Sequence, residues 1–314
     1  IDGAAIYQQA RGSIIRDLGY DFQTDGYKGN DLTLFSAHLF DGFTFTDWAY
    51  QQIPHSILWI VRSDGVLLGM TYVRNHQVIA WHRHDLGGQV ENVAVVPEGA
   101  EDVVYVTVRR TINGKVVRFL ERLANRQETL EVDLKLMDSN LSYDGRNTTA
   151  TTMTLSLDSG GWLYTDTLTC TASTSYFTAL DVGKGVHITS GTDLVRCEIT
   201  AYTSATVVTV TPNKTVPTSL QATASATWSL AVATVSGLHH LEGEDISVFG
   251  DGYVVASPNN DEVDTITVTG GIATLARPYA VIHAGIPFIS DVETLNIDTH
   301  QGETIADKAS QTNI

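Results

Sequence analysis

His82 and His84 stand two residues apart, and Asp85 follows them. On an extended chain, residues i and i+2 share a face. Two imidazoles and a carboxylate so placed could begin a metal site. Such a site needs further ligands, and no third residue at suitable spacing can be named. A polar outer strand face or an oligomer contact is the expected reading of the pair. His239 and His240 are neighbours in a loop of Gly and Glu, and adjacent residues rarely ligate one ion. Asp158-Ser159-Gly160-Gly161 shares its letters with the segment around serine-protease nucleophiles, and its first three with the aspartic-protease triplet. Leu157 and Trp162 flank it, and no histidine sits in a recognisable base motif. A triad is defined by geometry and not by four letters, so the segment reads as a turn before a strand. Gly183-Lys184-Gly185 lacks the spacing of a phosphate-binding loop. Glu242 and Glu244 could act as acid and base on a cell-wall polymer, or simply solvate a loop. No catalytic, cofactor-binding or metal-binding set is assigned, and no cofactor is implied.

Two further residue types bear on chemistry. Asn147-Thr148-Thr149 and Asn213-Lys214-Thr215 fit the glycosylation acceptor pattern, which arises by chance in a Thr-rich stretch. Cys170 and Cys197 are too few for a disulfide framework. They could pair only if neighbouring strands bring their Cα atoms within about 7 Å. Buried free thiols are the expected state.

The elements that would hold these residues are strands. Period-2 alternation marks Ser56–Arg62, Val66–Val73 and Val78–His84, then Val90–Val96, Asp102–Thr111 and Val116–Leu123. Asn113-Gly114 is a hairpin signal, because a type I′ turn needs positive φ at both central residues. In Ser56–Arg62, Ile57, Trp59 and Val61 oppose Leu58 and Ile60. Both faces are apolar, so this strand should be central and covered on both sides. Val78–His84 has a polar end and should lie near an edge. The two triplets, 56–84 and 90–123, look like similar three-stranded units. Asp245–Phe249 and Tyr253–Ala256 flank Gly250-Asp251-Gly252, and Thr265–Thr269 and Ile272–Leu275 flank Gly270-Gly271, which predicts two more hairpins. Helix signals are few. Thr46-Asp47 could cap a short turn over Trp48–Gln52, and Ala4–Leu18 has some helical spacing that Gly12-Ser13 interrupts. The fold class is therefore all-β: propeller-blade-like or sandwich-like antiparallel sheets.

Composition divides the chain into three. Residues 1–137 hold 13 basic and 17 acidic residues, 138–236 hold 4 and 7, and 237–314 hold 2 and 12. Between Asn147 and Ser236, 33 of 90 residues are Ser or Thr, interspersed with Trp162, Tyr164, Tyr176, Phe177, Tyr202 and Trp228. Thr is β-branched and suits a pleated surface. The expected layout is a β core from 1 to 137, an inserted Ser/Thr-rich β module from 138 to 236, and an acidic return to the core from 237 to 314. The net charge of −17 argues against a protein that binds nucleic acid by displacing phosphate counterions. No stretch approaches the roughly 18–20 apolar residues of a membrane helix.

One string is distinctive. AYQQIPHSILWIVRSDG (49–65) resembles the tail nozzle, or tail tubular protein B-like, proteins of tailed bacteriophages. DLTLFSAHL (31–39), GMTYV (69–73), AWHRH (80–84), VAVVP (93–97), DVVYVTVRRTIN (102–113) and FLERL (119–123) agree in order, as do Gly252–Val255, Ile272–Leu275 and VIHAGIP (281–287). Within the middle module, Val182–Ile188 and VRCEITAYTSATVVTV (195–210) are similar to a small β-barrel insert that phage proteins share with ubiquitin-activating enzymes. The resemblance implies an oligomeric, non-enzymatic virion protein of the phage tail. It would sit in a ring of its own copies beside adaptor and tail-fibre proteins, passing DNA without binding it tightly. It would be assembled in the host cytoplasm as part of a longer chain. A β-rich adhesion or carbohydrate-binding module, stacking Trp162 and Tyr164 on sugars, is the alternative.

Overall fold

The computed structural model describes residues 1–290, apart from 2, 11, 24, 77 and 126. The tail 291–314, the last part of the acidic region, lies outside the described residues. The protein is all-β, and its strands form antiparallel sheets. The helical elements among the described residues are 3₁₀ turns of three residues each.

The first three sheets stack. β1 (Ala5–Gln8), β2 (Ile15–Asp21) and β3 (Gly26–Lys28) form one sheet in that order. β4 (Phe45–Gln51), β5 (Ile57–Arg62), β6 (Leu67–Val73) and β7 (Val78–His84) form the second. β8 (Gln89–Glu98), β9 (Glu101–Ile112) and β10 (Lys115–Arg122) form the third, with β9 in the middle. Every residue of β5 is buried. One face, Ile57, Trp59 and Val61, packs with Val90, Val93, Val104, Val106 and Val108 of the third sheet. The other face, Leu58 and Ile60, packs with Ile15, Leu32 and Phe40 on the side of the first sheet, alongside Leu68, Met70 and Tyr72. The second sheet is thus the middle layer. A polar contact fixes the stack, since Tyr72 Oη donates to the buried Asp17 carboxylate at 3.0 Å.

Two expected helical stretches are strands. Phe45–Gln51 pairs with β5. The Asp47 carboxylate accepts the Val93 N–H at 3.0 Å, so it reaches across to the third sheet rather than capping a helix. Ala5–Gln8 and Ile15–Asp21 pair with each other in antiparallel register. The hairpin at Asn113-Gly114 has φ values of 48° and 70°, the positive pair that a type I′ turn requires.

β11 (Asp138–Asp144) leads into the middle module: β12 (Met153–Ser159), β13 (Thr167–Ala172), β14 (Gly185–Ser190), β15 (Asp193–Ser204), β16 (Val207–Pro212), β17 (Ala224–Ser225) and β18 (Trp228–Ser236). Then come β19 (Asp245–Gly250), β20 (Tyr253–Ala256), β21 (Ile266–Thr267), β22 (Ile272–Tyr279) and β23 (Val281–Ile286). β11 pairs with β23, and β23 with β19, so Asp138–Asp144 lie in the sheet of the last region. β12 to β17 and the start of β18 enclose one core of Met153, Leu155, Leu168, Ile188, Val195, Ile199, Val210 and Trp228. None of these strands pairs with β4–β10. β18 spans two cores. Its first half pairs with β14 and its second half with β22, where Val232 and Val235 join a cluster with Ile246, Leu275 and Ile282.

The neck of the module is narrow. Leu230 N–H donates to the Gly145 carbonyl at 2.8 Å, and Asn147 N–H to the Trp228 carbonyl at 2.9 Å. A Cβ at position 145 would lie 1.9 Å from the Leu230 carbonyl oxygen, so the close approach of the two segments requires glycine.

Candidate functional site

The histidine pair falls on β7, an edge strand. His82 Nδ1 and His84 Nε2 are 2.7 Å apart, and the two rings pack on Trp59 at 5.6 and 5.2 Å between centroids. Register explains the packing, because Gly69 of β6 lies between Trp59 and His82 across the sheet. A Cβ there would meet the His82 ring at 2.1 Å. Asp85 accepts the Gly87 N–H at 3.3 Å. Among the described residues, no group of three His, Cys, Asp or Glu side chains is placed to hold a metal ion.

These histidines line one side of a groove of about 1150 Å³. Its other walls come from β10, the segment before β11, β11 itself and His240. Behind the wall lies Arg110, fully buried and paired with Glu121, one N–H also donating to the Leu86 carbonyl at 2.6 Å. Burial raises the Asp138 carboxyl to about 7, with Glu121 and Asp85 pushing the same way and Arg110 opposing them. Among the described residues, Asp138 Oδ2, Asn140 Oδ1 and Arg110 Nε find no hydrogen-bond partner. The strand is irregular here. The β11–β23 register shifts between Asp138 and Leu141, and Ser139 has φ of 50°. Bulges of this kind re-aim side chains. The Ser139 carbonyl accepts a hydrogen bond from His240 Nε2 at 2.9 Å.

Next along β11, Ser142 Oγ lies 2.7 Å from His283 Nδ1, and His283 Nε2 lies 2.9 Å from the Val132 carbonyl. The carbonyl can only accept, so Nε2 carries the hydrogen and Nδ1 accepts from the hydroxyl. Burial pushes the His283 pKa down, which favours the neutral ring. Ser142 and His283 are direct partners across the β11–β23 ladder, so the strand register itself brings the hydroxyl to the buried imidazole. The groove therefore offers one carboxyl that changes charge near neutral pH, one serine–histidine hydrogen bond and a buried arginine–glutamate pair.

The other residues singled out in the sequence hold turns and junctions. The Asp166 carboxylate accepts the N–H groups of Gly161 and Leu163 at 3.0 and 2.8 Å, closing the turn after Asp158-Ser159-Gly160. Lys184 pairs with Asp181 at 2.7 Å. Glu242 accepts the N–H groups of Gly270 and Gly271, which lowers its pKa, whereas Glu244 receives the Asn113 N–H at 3.4 Å. Each carboxylate thus serves a different hairpin. Asn147 Nδ2 donates to the carbonyls of Thr149, Thr151 and Ala226, each at 3.0 Å, and Asn213 Oδ1 accepts the Arg196 N–H at 3.0 Å. Cys170 and Cys197 are free and buried in one core, and burial pushes the Cys170 thiol up to about 12 and that of Cys197 up as well. Trp162 packs on that same core, and Tyr164 is exposed.

Sequence reasoning missed Arg110, Glu121, Asp138, Ser142 and His283 as a group. One signal was present. Arg110 shares the parity of Val104, Val106, Val108 and Ile112, all buried, so an arginine on the inward face of β9 demanded a buried partner.

An all-β chain of several antiparallel sheets, with a groove where separate stretches of chain meet, is the class that fold and site define. No family model matches the chain, and no curated protein matches it.

Proposed function

We infer that the chain is a structural protein of a phage tail nozzle, a wall component of the passage through which DNA leaves. The observation that supports this reading is where the resembling strings fall. AYQQIPHSILWIVRSDG covers the last three residues of β4, all of β5 and the turn beyond it, GMTYV lies on β6, AWHRH on β7, DVVYVTVRRTIN on β9 and VIHAGIP on β23. The likeness lies in strands of the stacked layers and of the last sheet, and so in architecture rather than in a set of reacting groups. Adaptor, fibre and self-contacts are the partners such a component needs, and no active site is required. A net charge of −17 repels a passing duplex instead of trapping it. The inserted module reads as a small barrel carried on the wall.

Immunogold electron microscopy with antibody against the chain tests the reading. Label at the distal tip of phage tails is the expected result, and label confined to capsids or absent from particles sinks it. Selective binding on a glycan array would replace it with the carbohydrate-binding alternative.

A further inference from the structure

Ser142 and His283 face each other across the β11–β23 ladder. Further along it, Gly145 N–H bonds to the Ala280 carbonyl. Hydrogen-bonded pairs alternate in an antiparallel ladder, so Ser142 and His283 form a non-hydrogen-bonded pair, the kind whose side chains lie closest. The result is the 2.7 Å contact in which the hydroxyl donates to Nδ1. The Val132 carbonyl holds the other ring nitrogen at 2.9 Å, which fixes both the tautomer and the angle of the ring. The hydroxyl's one hydrogen is thereby committed. Its contact with Asn140 Nδ2 at 3.2 Å is therefore a hydrogen bond that Ser142 Oγ accepts. The bulge between Asp138 and Leu141 takes Asn140 out of the ladder register and leaves its amide beside Ser142. The imidazole is buried, at 3% exposure, whereas Ser142 is exposed on an edge strand and lines the groove. The oxygen is open to an incoming molecule, and the nitrogen that can take its proton is shielded from water.

We propose that Ser142 is an acyl-accepting nucleophile with His283 as its general base, and that the groove takes neutral carboxylic esters with a short apolar acyl group. An activated nucleophile is marked by a hydroxyl, a base within hydrogen-bond reach and a third group that orients the base. Here the third group is a backbone carbonyl. Burial favours the neutral ring, the form that can take a proton. Ser142 Oγ bonds to the ester carbon as its proton moves to His283 Nδ1. Negative charge gathers on the carbonyl oxygen beside the Asn140 amide N–H groups. The carbon–oxygen bond to the alcohol then breaks, and the alcohol leaves with the proton from Nδ1. Water attacks the acyl carbon while giving a proton to Nδ1. Cleavage of the bond to Oγ returns that proton to the serine and frees the carboxylic acid. His283 Nε2 donates to a carbonyl and not to a carboxylate, so the imidazolium that forms is weakly stabilised. That suits esters, whose alcohols leave more readily than amines. Phe119, Leu123, Met137 and Phe288 line the same groove and set the apolar acyl group, while Glu128 and Asp138 disfavour an anionic one. The proposal goes beyond the nozzle reading, which needs no active site, and neither depends on the other.

Hydrolysis of p-nitrophenyl butyrate by the 314-residue chain, with mass spectrometry after treatment with a fluorophosphonate, tests it. The wild type should release p-nitrophenol faster than buffer or the heat-unfolded chain, and should carry a phosphonyl group on the peptide that contains Ser142. Ser142→Ala removes a hydroxyl from an exposed position, so it should keep the wild-type thermal melt and lose both signals. His283→Gln should slow hydrolysis about 100-fold or more, the usual loss with a general base. Asn140→Ala should lower kcat roughly 100-fold with KM little changed, as loss of a donor to a developing oxyanion does. If His283→Gln does not fold, Ser142→Ala and Asn140→Ala decide the matter. A wild type that does not turn over the ester overturns the proposal, and so do turnover and labelling that survive Ser142→Ala. Tail labelling decides the nozzle reading separately.

Discussion

The middle layer and the Ser/Thr-rich module bury their strands in different ways. β5 is covered on both faces, so six successive residues are buried and two separate clusters meet along one strand. In the module, β16 alternates half-buried and buried residues, and Val208 and Val210 turn inward while Val207 and Thr209 do not. Both valines serve a single core. A strand in the middle of three layers transmits damage to two cores. A strand around one core confines it. Buried charged groups occur in both regions, and the module holds Asp181 paired with Lys184. The buried Arg110–Glu121 pair and, among the described residues, the unpartnered Asp138 and Asn140 oxygens lie where separate sheets meet. The module's main core is a cluster of apolar groups and two thiols, and its buried polar residues, Thr151, Asp181, His187 and Ser225, stand apart from that cluster.

The largest effect expected is at Trp59. Trp59→Ala removes a ring that packs on the third sheet and on both β7 histidines. Its cost should be about 3–5 kcal/mol, a large share of a typical 5–15 kcal/mol domain stability. Leu168→Ala in the module should cost about 2–5 kcal/mol and shift only the module's own transition. Calorimetry of both variants sharpens the comparison. If Leu168→Ala lowers the transition of the stacked sheets equally, the two regions melt as one unit and the contrast fails.

Asp138 gives the next effect, and its sign depends on pH. Its folded pKa of about 7 lies above the unfolded value of about 3.9. The native state therefore holds its proton more tightly, and stability from this group falls as pH rises from about 4 to about 7. Asp138→Asn copies the protonated form. It should raise stability by about 2–4 kcal/mol at pH 8 and change little at pH 4. Urea melts at the two pH values check this, and a loss at pH 8 would show that the carboxylate is paired when charged.

Most of the strand plan was legible in the sequence, and the groove was not. Ile57–Arg62 shows its two-sided burial in six apolar or amphipathic letters, and Asn113-Gly114 shows its turn because only certain residues accept positive φ. Phe45–Gln51 was misread because a Thr-Asp pair looks the same before a helix as within a strand. What distinguishes them is the Val93 N–H that Asp47 meets across two sheets. Arg110 and Glu121 share the β9–β10 hairpin, but Asp138 and His283 come from stretches far apart in the chain, and nothing local states that β11 returns to pair with β23.

Asn147 tests the neck that separates the two regions. Its amide donates to three carbonyls, and its Oδ1 accepts from Thr149 N–H at 3.0 Å. Asn147→Ala leaves these groups to water or unpaired, at a cost of about 1–3 kcal/mol. The loss should appear as faster hydrogen exchange at 147–151 and 226–230, with the stacked sheets unchanged. Exchange that rises equally in β5 would mean that the neck couples the regions instead of separating them.

The smallest effect expected is at His82, and it separates a packing role from a metal role. The ring lies edge-on to Trp59 and hydrogen-bonds to His84, so it is more than a solvated surface residue. An aromatic pair of this kind contributes about 0.5–1.5 kcal/mol, and β7 has only one neighbouring strand. His82→Ala should therefore lower stability by about that amount, several-fold less than Trp59→Ala. In the double variant Trp59→Ala, His82→Ala, the His82 contribution should largely vanish, because its packing partner is already gone. Zinc should leave the melting temperature of the wild type unchanged, since the two imidazoles are engaged with each other and, among the described residues, no group of three potential ligands is placed to hold a metal. A rise in melting temperature with zinc that His82→Ala abolishes would make the pair a metal site and move the most chemically active part of the protein from the β11 joint to the β7 edge.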